Sequence, residues 1–402
     1  MQLCSSERTD MFSSLYKILR VLHCMHDKMC VTVVTLLVHL MAFDFAKLKS
    51  LLGLDLKGSK DAPIIGVDMG ASAIKLVQLH SEEGVPTLDT YGELQLGPYG
   101  ESDVGNTVSL ENKRLMEAFV DIIRESSITG SNAALSISYA TSFATTLIVD
   151  AVDEEAIAKL VPIEARKYIP VQLSEVTLDW FTLGVNEETK QTKLFLVAIH
   201  NDGFAQSKTI LSGVGLSLAY AELEPFSATR AALSEARTSA AIVDLGASAT
   251  KLYIVENGTM QKTHSVTTGG VALTSALAGA LGVSFKDAEG QKRTHGLRAA
   301  EESATVSKTL QKELDRVTHE LSRVIGDYEK EKGAQLSSIV LTGGGAEMVG
   351  MLEYMQDTLQ RKTFLGAPFN KVAYPAFLED SLKAAGPSFT VAIGAALRQF
   401  SE

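Results

Sequence analysis

The chain has 402 residues, of which 46% are hydrophobic and 21% charged, and its 48 acidic against 37 basic residues give a net charge of −11. This composition excludes a disordered chain, which would be poor in hydrophobic residues, and a basic nucleic-acid-binding protein, which would carry a positive field. The length predicts two or three domains of roughly 100–200 residues each, and no apolar run reaches the ~18 residues of a membrane-spanning helix.

The first 40 residues differ in composition from the rest of the chain. They contain all three cysteines, Cys4, Cys24 and Cys30, so the remaining sequence cannot hold a disulfide or a cysteine metal site. Residues 30–40 resemble the apolar part of a targeting peptide, but no small-residue cleavage site follows them. We expect residues 1–40 to be a non-native extension, with a targeting peptide as the alternative.

Residues 41–63 are predicted to form an amphipathic segment and a linker. Phe45, Leu48, Leu52 and Leu56 fall within one helical stripe. Such a helix suits a membrane surface or a partner, or packs on the rest of the chain.

Residues 64–79, IIGVDMGASAIKLVQL, predict a buried strand, a glycine turn and a returning strand. The turn carries Asp68, Gly70 and Ser72. A hairpin turn of this kind points several backbone N–H groups at one anion.

The next segment mixes helices and strands. Residues 153–169 are expected to be helical with a break near Pro162, and residues 177–184 and 193–200 to be strands. Residues 204–212 are expected to form a helix that ends at the following glycines.

Residues 240–255, AAIVDLGASATKLYIV, repeat the first hairpin. When Asp68 is aligned with Asp244, eight of the ten positions from Val67 to Leu76 are identical. A repeat at this separation predicts two similar domains rather than a solenoid.

The last part of the chain is predicted to be mainly helical. Helices are expected over residues 271–281, 299–332 and 387–400. Residues 338–350, SIVLTGGGAEMVG, predict a strand, a triple-glycine turn and the start of a helix.

Two such hairpins facing each other would form a clamp for a nucleotide. Their backbone N–H groups and hydroxyls would hold phosphate oxygens, and Asp68 and Asp244 would hold Mg²⁺ through water. The triple glycine would allow the backbone to approach a flat or charged ligand closely.

This arrangement resembles the actin-like ATPase fold, an α/β fold of two duplicated ribonuclease-H-like domains around a nucleotide cleft, with smaller inserted subdomains. Residues 64–79 match its first phosphate motif, residues 240–258 its second, and residues 338–350 its adenosine motif. The resemblance implies that ATP and Mg²⁺ bind between the domains.

Within this fold, residues 163–184 and 223–233 resemble the PilM family of type IV pilus assembly, which is related to the cell-division protein FtsA. The resemblance runs from about Phe45 to Phe400. It implies a first domain over residues 64–238 with an insertion at about 140–215. It also implies a second domain over residues 239–402 with an insertion at about 262–335.

The resemblance also implies roles for individual residues. The nucleotide-binding residues would be Gly70, Ala71, Ser72 and Lys75 in the first loop, Asp244, Gly246, Ala247, Ser248 and Thr250 in the second, and Gly269, Gly270, Glu289, Lys292, Arg293, Gly343, Gly344 and Gly345 around the nucleoside. Glu224 would polarise the attacking water, with Asp68 as the second catalytic residue.

Several of these residues have simpler interpretations. Glu289 and Lys292 would form an exposed ion pair of little energetic value, and Lys75 and Lys251 would be surface charges. Lys251 also stands where faster ATPases of the fold place an acidic residue. ATP binding with slow hydrolysis is therefore the expectation.

The PilM resemblance implies a cytoplasmic scaffold, peripheral at the inner membrane, that supports pilus assembly and twitching motility. It would bind the cytoplasmic N-terminus of the membrane protein PilN, together with other platform proteins, and form homo-oligomers as a further option. The alternatives are an FtsA-like or type II secretion scaffold that polymerises at the membrane, and a small-molecule kinase of the same fold.

Overall fold

The computed structural model describes residues 62–233, 239–298 and 300–401. All of these residues belong to one compact unit. The extension at residues 1–40 and the amphipathic helix expected at residues 41–56 lie outside the described residues.

The described residues contain thirteen strands and nine α-helices. The strands are β1 (Ile64–Met69), β2 (Ala73–Glu82), β3 (Val85–Gln95), β4 (Asn132–Ile137), β5 (Ser142–Val149), β6 (Val176–Asn186), β7 (Gln191–His200), β8 (Ser217–Leu223), β9 (Ala240–Leu245), β10 (Thr250–Glu256), β11 (Thr259–Val266), β12 (Ser338–Thr342) and β13 (Thr363–Leu365). The helices are α1 (Asn112–Glu125), α2 (Glu154–Ala165), α3 (Asn201–Gly213), α4 (Glu224–Ala232), α5 (Gly270–Leu281), α6 (Phe285–His295), α7 (Ala304–Lys332), α8 (Met351–Leu359) and α9 (Glu379–Ala396).

Two five-stranded sheets share one topology. The first has the order β3-β2-β1-β4-β8 and the second the order β11-β10-β9-β12-β13. In each, the first three strands of the sequence form an antiparallel meander and the last two join it in parallel. The sequence repeat is therefore a repeat of the fold.

A third sheet interrupts the first one. It has the order β5-β7-β6 and is antiparallel throughout. Its strands and helices α2 and α3 lie between β4 and β8 in the chain. Helices α5, α6 and α7 lie between β11 and β12, so the second sheet is interrupted between its third and fourth strands in chain order, whereas the first sheet is interrupted between its fourth and fifth.

Two central helices cross beside the first sheet. A Cβ added to Gly394 of α9 would lie 1.9 Å from the carbonyl oxygen of Ser227 in α4, and one added to Gly66 of β1 would lie 1.9 Å from that of Ala392. Only glycine permits both approaches. The close crossing places the start of α4 next to the ends of both hairpins.

Two boundaries predicted from the sequence are wrong. Helix α2 continues through Pro162, because the buried side chains of Ile157, Val161 and Ala165 hold it against the third sheet despite the lost backbone hydrogen bond. The last helix begins at Glu379, eight residues before Pro387. After that proline the N–H of Ser388 donates to the Glu347 carboxylate at 3.1 Å.

The other predicted elements are confirmed, although α7 begins at Ala304 rather than near residue 299. Within the described residues, no helix combines the length and apolar character needed to cross a membrane.

Candidate functional site

The two repeated hairpins have the same turn. The N–H of Gly70 donates to the carbonyl of Ala73 at 3.0 Å, and the N–H of Gly246 donates to that of Ala249 at 3.1 Å. A Cβ on either glycine would lie 3.0 Å from the same carbonyl. The identical sequence thus produces two identical loops at corresponding strand ends of the two sheets.

Each hairpin also places an aspartate directly opposite a lysine. Asp68 pairs in register with Lys75, and Asp244 pairs with Lys251. Residues opposite each other in a sheet project from the same face, so each acidic side chain has a basic neighbour.

The parallel strand beyond each aspartate contributes a buried hydroxyl. Ser136 pairs in register with Asp68, and Thr342 pairs with Asp244. Both hydroxyls are buried, and neither has a hydrogen-bond partner among the residues that the structure describes. Since a buried polar group without a partner is costly, these hydroxyls are available to a water or ligand beside the aspartates.

The hairpins differ at their lysines. Lys251, whose side chain is 16% exposed, donates to Glu224, while its ammonium lies 3.4 Å from Oδ2 of Asp244. Glu224 also accepts from the N–H of Tyr139 at 3.1 Å. The interpretation of Lys251 as a surface charge is therefore wrong. Lys75 is half-buried and makes no ion pair with any described residue.

Burial and neighbouring charges shift the pKa values of these groups. Burial raises the pKa of Asp68 and that of Asp244, nearby lysines oppose this effect and the negative charge of Glu224 adds to it, so that both pKa values lie at about 6. Burial also opposes ionisation of Glu224, but its attraction to Lys251 and its hydrogen bonds hold the Glu224 pKa below the ordinary value. Lys251, in turn, has a raised pKa because its two carboxylate neighbours outweigh its burial.

The Gly269–Gly270 turn packs on the second hairpin. The N–H groups of Gly270 and Val271, at the start of α5, donate to the carbonyls of Gly246 at 3.0 Å and Ala247 at 2.9 Å. A Cβ on Gly269 would lie 2.5 Å from the Ala247 carbonyl oxygen. These contacts hold the loop of the second hairpin in position.

Glu289, Lys292 and Arg293 form a network behind the same turn. Glu289 is only 6% exposed and binds Lys292 at 2.6 Å and Arg293 at 2.7 Å. The Lys292 ammonium also donates to the carbonyl of Gly270 at 3.1 Å and to the hydroxyl of Thr274 at 2.7 Å. The expectation of an exposed pair is wrong, because α5 covers it.

All three N–H groups of Lys292 are used within the protein. Burial lowers its pKa, although Glu289 opposes this effect. Lys292 therefore positions the Gly269–Gly270 turn rather than offering a free donor.

The triple-glycine turn approaches the second hairpin. Gly343 has φ +80°, and its Cβ would lie 2.4 Å from Oδ1 of Asp244, while a Cβ on Gly345 would lie 2.8 Å from Leu245. Gly344 faces open space. Two of these glycines thus serve close packing within the protein, and Gly344 remains open to a ligand.

The predicted loop residues differ in what they can still bind. The Thr250 hydroxyl is buried and donates to the carbonyl of Thr268 at 2.8 Å, so it cannot donate to a ligand. Ala71 and Ser248 are exposed at the tips of their loops, and Ser72 is half-buried. The exposed tips are the parts open to a phosphate.

The side chains do not form a direct magnesium cage. Mg²⁺ requires oxygen ligands at about 2.0–2.1 Å in an octahedral arrangement. Among the described residues no group of three His, Cys, Asp or Glu side chains converges to hold a metal. The predicted contacts of Asp68 and Asp244 run through water, so they stay a prediction.

Sequence reasoning missed the roles of Lys251, Tyr139, Ser136 and Thr342. The signal for Lys251 was present, since the repeat aligns it with Lys75, a lysine that was assigned to the site. The two hydroxyls carry no local motif. Only the pairing of neighbouring strands reveals them.

The family described as type IV pilus assembly protein PilM matches residues 66–400. Among curated proteins, cell division protein FtsA of Bacillus subtilis (strain 168) is 25% identical over 240 residues, which are 51% of this chain and 54% of FtsA. The chain thus spans about half the length of the curated relatives it matches.

Solved structures show the same fold. A PilM–PilN type IV pilus biogenesis complex matches with a TM-score of 0.72 at 24% identity, covering 85% of this chain and 99% of that one. The ethanolamine utilization protein EutJ from Carboxydothermus hydrogenoformans matches with a TM-score of 0.51 at 16% identity, covering 85% and 92%. The fold is that of the actin-like ATPases, as the sequence predicted.

Proposed function

The chain belongs to the family of type IV pilus assembly protein PilM, and on this premise we propose that it is an ATP-binding, actin-like scaffold of a pilus assembly platform. The observation that carries the proposal is the pair of identical loops at corresponding strand ends of the two sheets, with Asp68, Asp244, Glu224 and Lys251 between them. Buried charged groups with perturbed pKa values cluster at functional sites.

The nucleotide would lie between two domains, residues 64–238 and 239–402. Each contributes one hairpin, and the third sheet and helices α5 to α7 form the two insertions. Closure of the domains on ATP would change the position of the third sheet, whose strand β5 contacts β11 through the bond from the Thr146 hydroxyl to the Gln261 carbonyl at 3.2 Å.

Each group has a distinct task in binding. The backbone N–H groups at the loop tips would hold phosphate oxygens, and Lys75, which makes no ion pair with any described residue, would neutralise part of their charge. Mg²⁺, when bound with the nucleotide, supplies further neutralisation of the phosphates. Asp68, half-buried beside the open hydroxyl of Ser136, would orient water at the phosphates.

Glu224 is poorly suited to act as a general base in this arrangement. Its two oxygens already accept from Lys251 and from the N–H of Tyr139. Its pKa is held low chiefly because Lys251 outweighs the effect of burial, which makes it a weak proton acceptor. ATP would therefore be turned over slowly, and its binding would act as a switch.

Isothermal titration of the full chain with ATP tests the nucleotide proposal. Saturable binding that weakens in a Gly246→Val variant is expected, since the added side chain blocks the loop. Absence of binding by the folded wild-type chain would remove the proposal.

The partner proposed for this scaffold is the cytoplasmic N-terminus of a PilN-like membrane protein. A solved complex of the same fold contains PilM with PilN. The peptide would bind in a groove of residues 133–215, by strand addition or an anchored apolar side chain. The chain would then lie on the cytoplasmic side of the inner membrane, held there by its partners, and support pilus assembly and twitching motility.

A peptide titration tests this partner. A fluorescent peptide of the PilN N-terminus is expected to bind, with an affinity that changes when ATP is added. A peptide of the same composition in scrambled order is the control. Equal behaviour of the two peptides in both nucleotide states would remove the partner while leaving the ATP proposal in place.

A second candidate is a scaffold that polymerises at the membrane, which the matches to FtsA favour. Sedimentation with lipid vesicles and ATP distinguishes this candidate from the pilus scaffold. Filaments that form only when vesicles and ATP are both present would support the polymerising scaffold.

A further inference from the structure

Lys251 lies beside two carboxylates, Asp244 and Glu224, that would otherwise attract a metal cation. Its ammonium contacts Glu224 and lies 3.4 Å from Oδ2 of Asp244, and the side chains of all three residues are at most 16% exposed. Two carboxylates this close together are the ligands that a hard divalent cation prefers. Here a lysine already lies between them.

Both carboxyl groups lie against the same ammonium. A cation such as Mg²⁺ bound by both would have to lie about 2.0–2.1 Å from their oxygens, in the space that the ammonium fills. An ammonium and a dication in that space would also repel each other strongly at low dielectric. Lys251 and a directly bound metal therefore exclude each other.

The first hairpin provides an internal comparison. Lys75 holds the same register position as Lys251 but makes no ion pair with any described residue, and Asp68 is only half-buried. The difference comes from Glu224, which faces the second hairpin. A lysine at this register position is thus not sufficient to form a buried ion pair, and the Glu224 carboxylate is what holds the Lys251 ammonium in place.

We infer that Lys251 is a built-in counter-ion for Asp244 and Glu224, which keeps divalent cations off these carboxylates and leaves Asp68 as the carboxylate that faces a nucleotide-bound cation. The role given to Asp68 rests on the proposed function, whereas the exclusion of cations by Lys251 concerns the nucleotide-free protein alone. Lys251 acts on this account as a positioning residue.

Binding of Mn²⁺ to the nucleotide-free full chain, followed by electron paramagnetic resonance, tests the inference directly. Lys251→Met removes the ammonium at similar volume and is expected to tighten Mn²⁺ binding about 10- to 100-fold relative to wild type. The gain should disappear in the double variant Lys251→Met with Asp244→Asn.

Lys332→Met is the matched control. Lys332 pairs with Glu256, at the end of the same strand β10, at 3.0 Å. This variant also loses one positive charge and one ion pair, but it leaves a single carboxylate rather than two. Its Mn²⁺ affinity should stay close to that of wild type.

Folded Lys251→Met with wild-type Mn²⁺ affinity would overturn the inference. If that variant does not fold, Asp244→Asn in the wild-type background decides: its Mn²⁺ affinity should equal that of wild type, and a clear loss would show that Asp244 binds the cation despite Lys251. Because ATP is absent from these measurements, failure of ATP binding in a separate titration would remove the proposed function without affecting the result.

Discussion

The two hairpins have nearly the same sequence but different electrostatic surroundings. In the first, Lys75 is half-buried beside Asp68 and makes no ion pair with a described residue. In the second, Lys251 is also partly buried but pairs with both Asp244 and Glu224. A repeated sequence therefore fixes the loop geometry, whereas the charge of each loop is set by residues outside the repeat.

The decisive outside residue is Glu224. It follows β8, the last strand of the first sheet, and begins α4. The corresponding strand of the second sheet, β13, is followed by Gly366, Ala367 and Pro368, which carry no charge. The first hairpin therefore has no equivalent carboxylate at that position, and the duplicated fold has one open lysine and one neutralised lysine.

The largest expected effect follows from removing the aspartate of the second hairpin. Asp244→Ala should reduce ATP affinity about 100-fold or more, which corresponds to at least ~2.7 kcal/mol. The variant removes the buried carboxylate that supports the second loop, and it leaves Lys251 paired with Glu224 alone. Calorimetric titration measures the affinity, with the midpoint of thermal unfolding as the control for folding. Unchanged affinity in the folded variant would remove the second hairpin from the site.

A stability comparison tests the neutralised lysine against the open one. Glu224→Gln leaves Lys251 as a poorly compensated buried charge and should lower the free energy of unfolding by about 3–5 kcal/mol. Lys75→Met should change it by less than about 0.5 kcal/mol. Denaturant titration measures both.

The double variant Glu224→Gln with Lys251→Met removes both charges of the pair. It should recover much of the stability lost in Glu224→Gln alone. Equal destabilisation by Glu224→Gln and Lys75→Met would show that the two hairpins are electrostatically alike.

The triple-glycine turn offers a comparison within three residues. Gly343→Ala should destabilise the protein by about 1–3 kcal/mol, because the residue has φ +80° and its Cβ would lie 2.4 Å from Asp244. Gly344→Ala, where the Cβ meets open space, should cost no more than about 0.5 kcal/mol. Similar losses for both would mean that the turn does not pack on the second hairpin as described.

A smaller effect is expected in the pH dependence of stability. The Asp68 pKa of about 6 in the folded protein lies above the unfolded value, chiefly because of burial, so the folded state binds more protons between about pH 4 and 6. Its contribution to stability is present below that range and is lost as the pH rises through 6.

Asp68→Asn removes this titration. The variant should therefore gain about 1–2 kcal/mol relative to wild type between about pH 4 and pH 7, as measured by denaturant titration at each pH. A difference that does not change with pH would show that Asp68 ionises normally in the folded protein.

The sequence predicted the fold because its two strongest signals are local and repeated. Each hairpin combines a buried strand, a glycine turn and a returning strand, and the eight identities between Val67 and Leu76 and their counterparts indicate duplication. The same pattern located both loops of the candidate site.

The buried charges could not be predicted in the same way. Glu224 begins α4 and Lys251 lies in β10, 27 positions further along the chain, so only the folded chain brings them together. Glu289 and Lys292 have the spacing of a surface pair, and their burial depends on α5, whose Thr274 hydroxyl donates to Glu289 at 2.6 Å. Periodicity describes one element at a time, whereas these contacts join several.

Hydrogen exchange of the full chain with and without ATP tests most directly whether both hairpins hold one nucleotide. Slower exchange is expected at residues 70–72 and at residues 246–248 when ATP is added. Protection at only one of these loops, or at neither, with ATP bound at saturation, would contradict binding of one nucleotide by both hairpins.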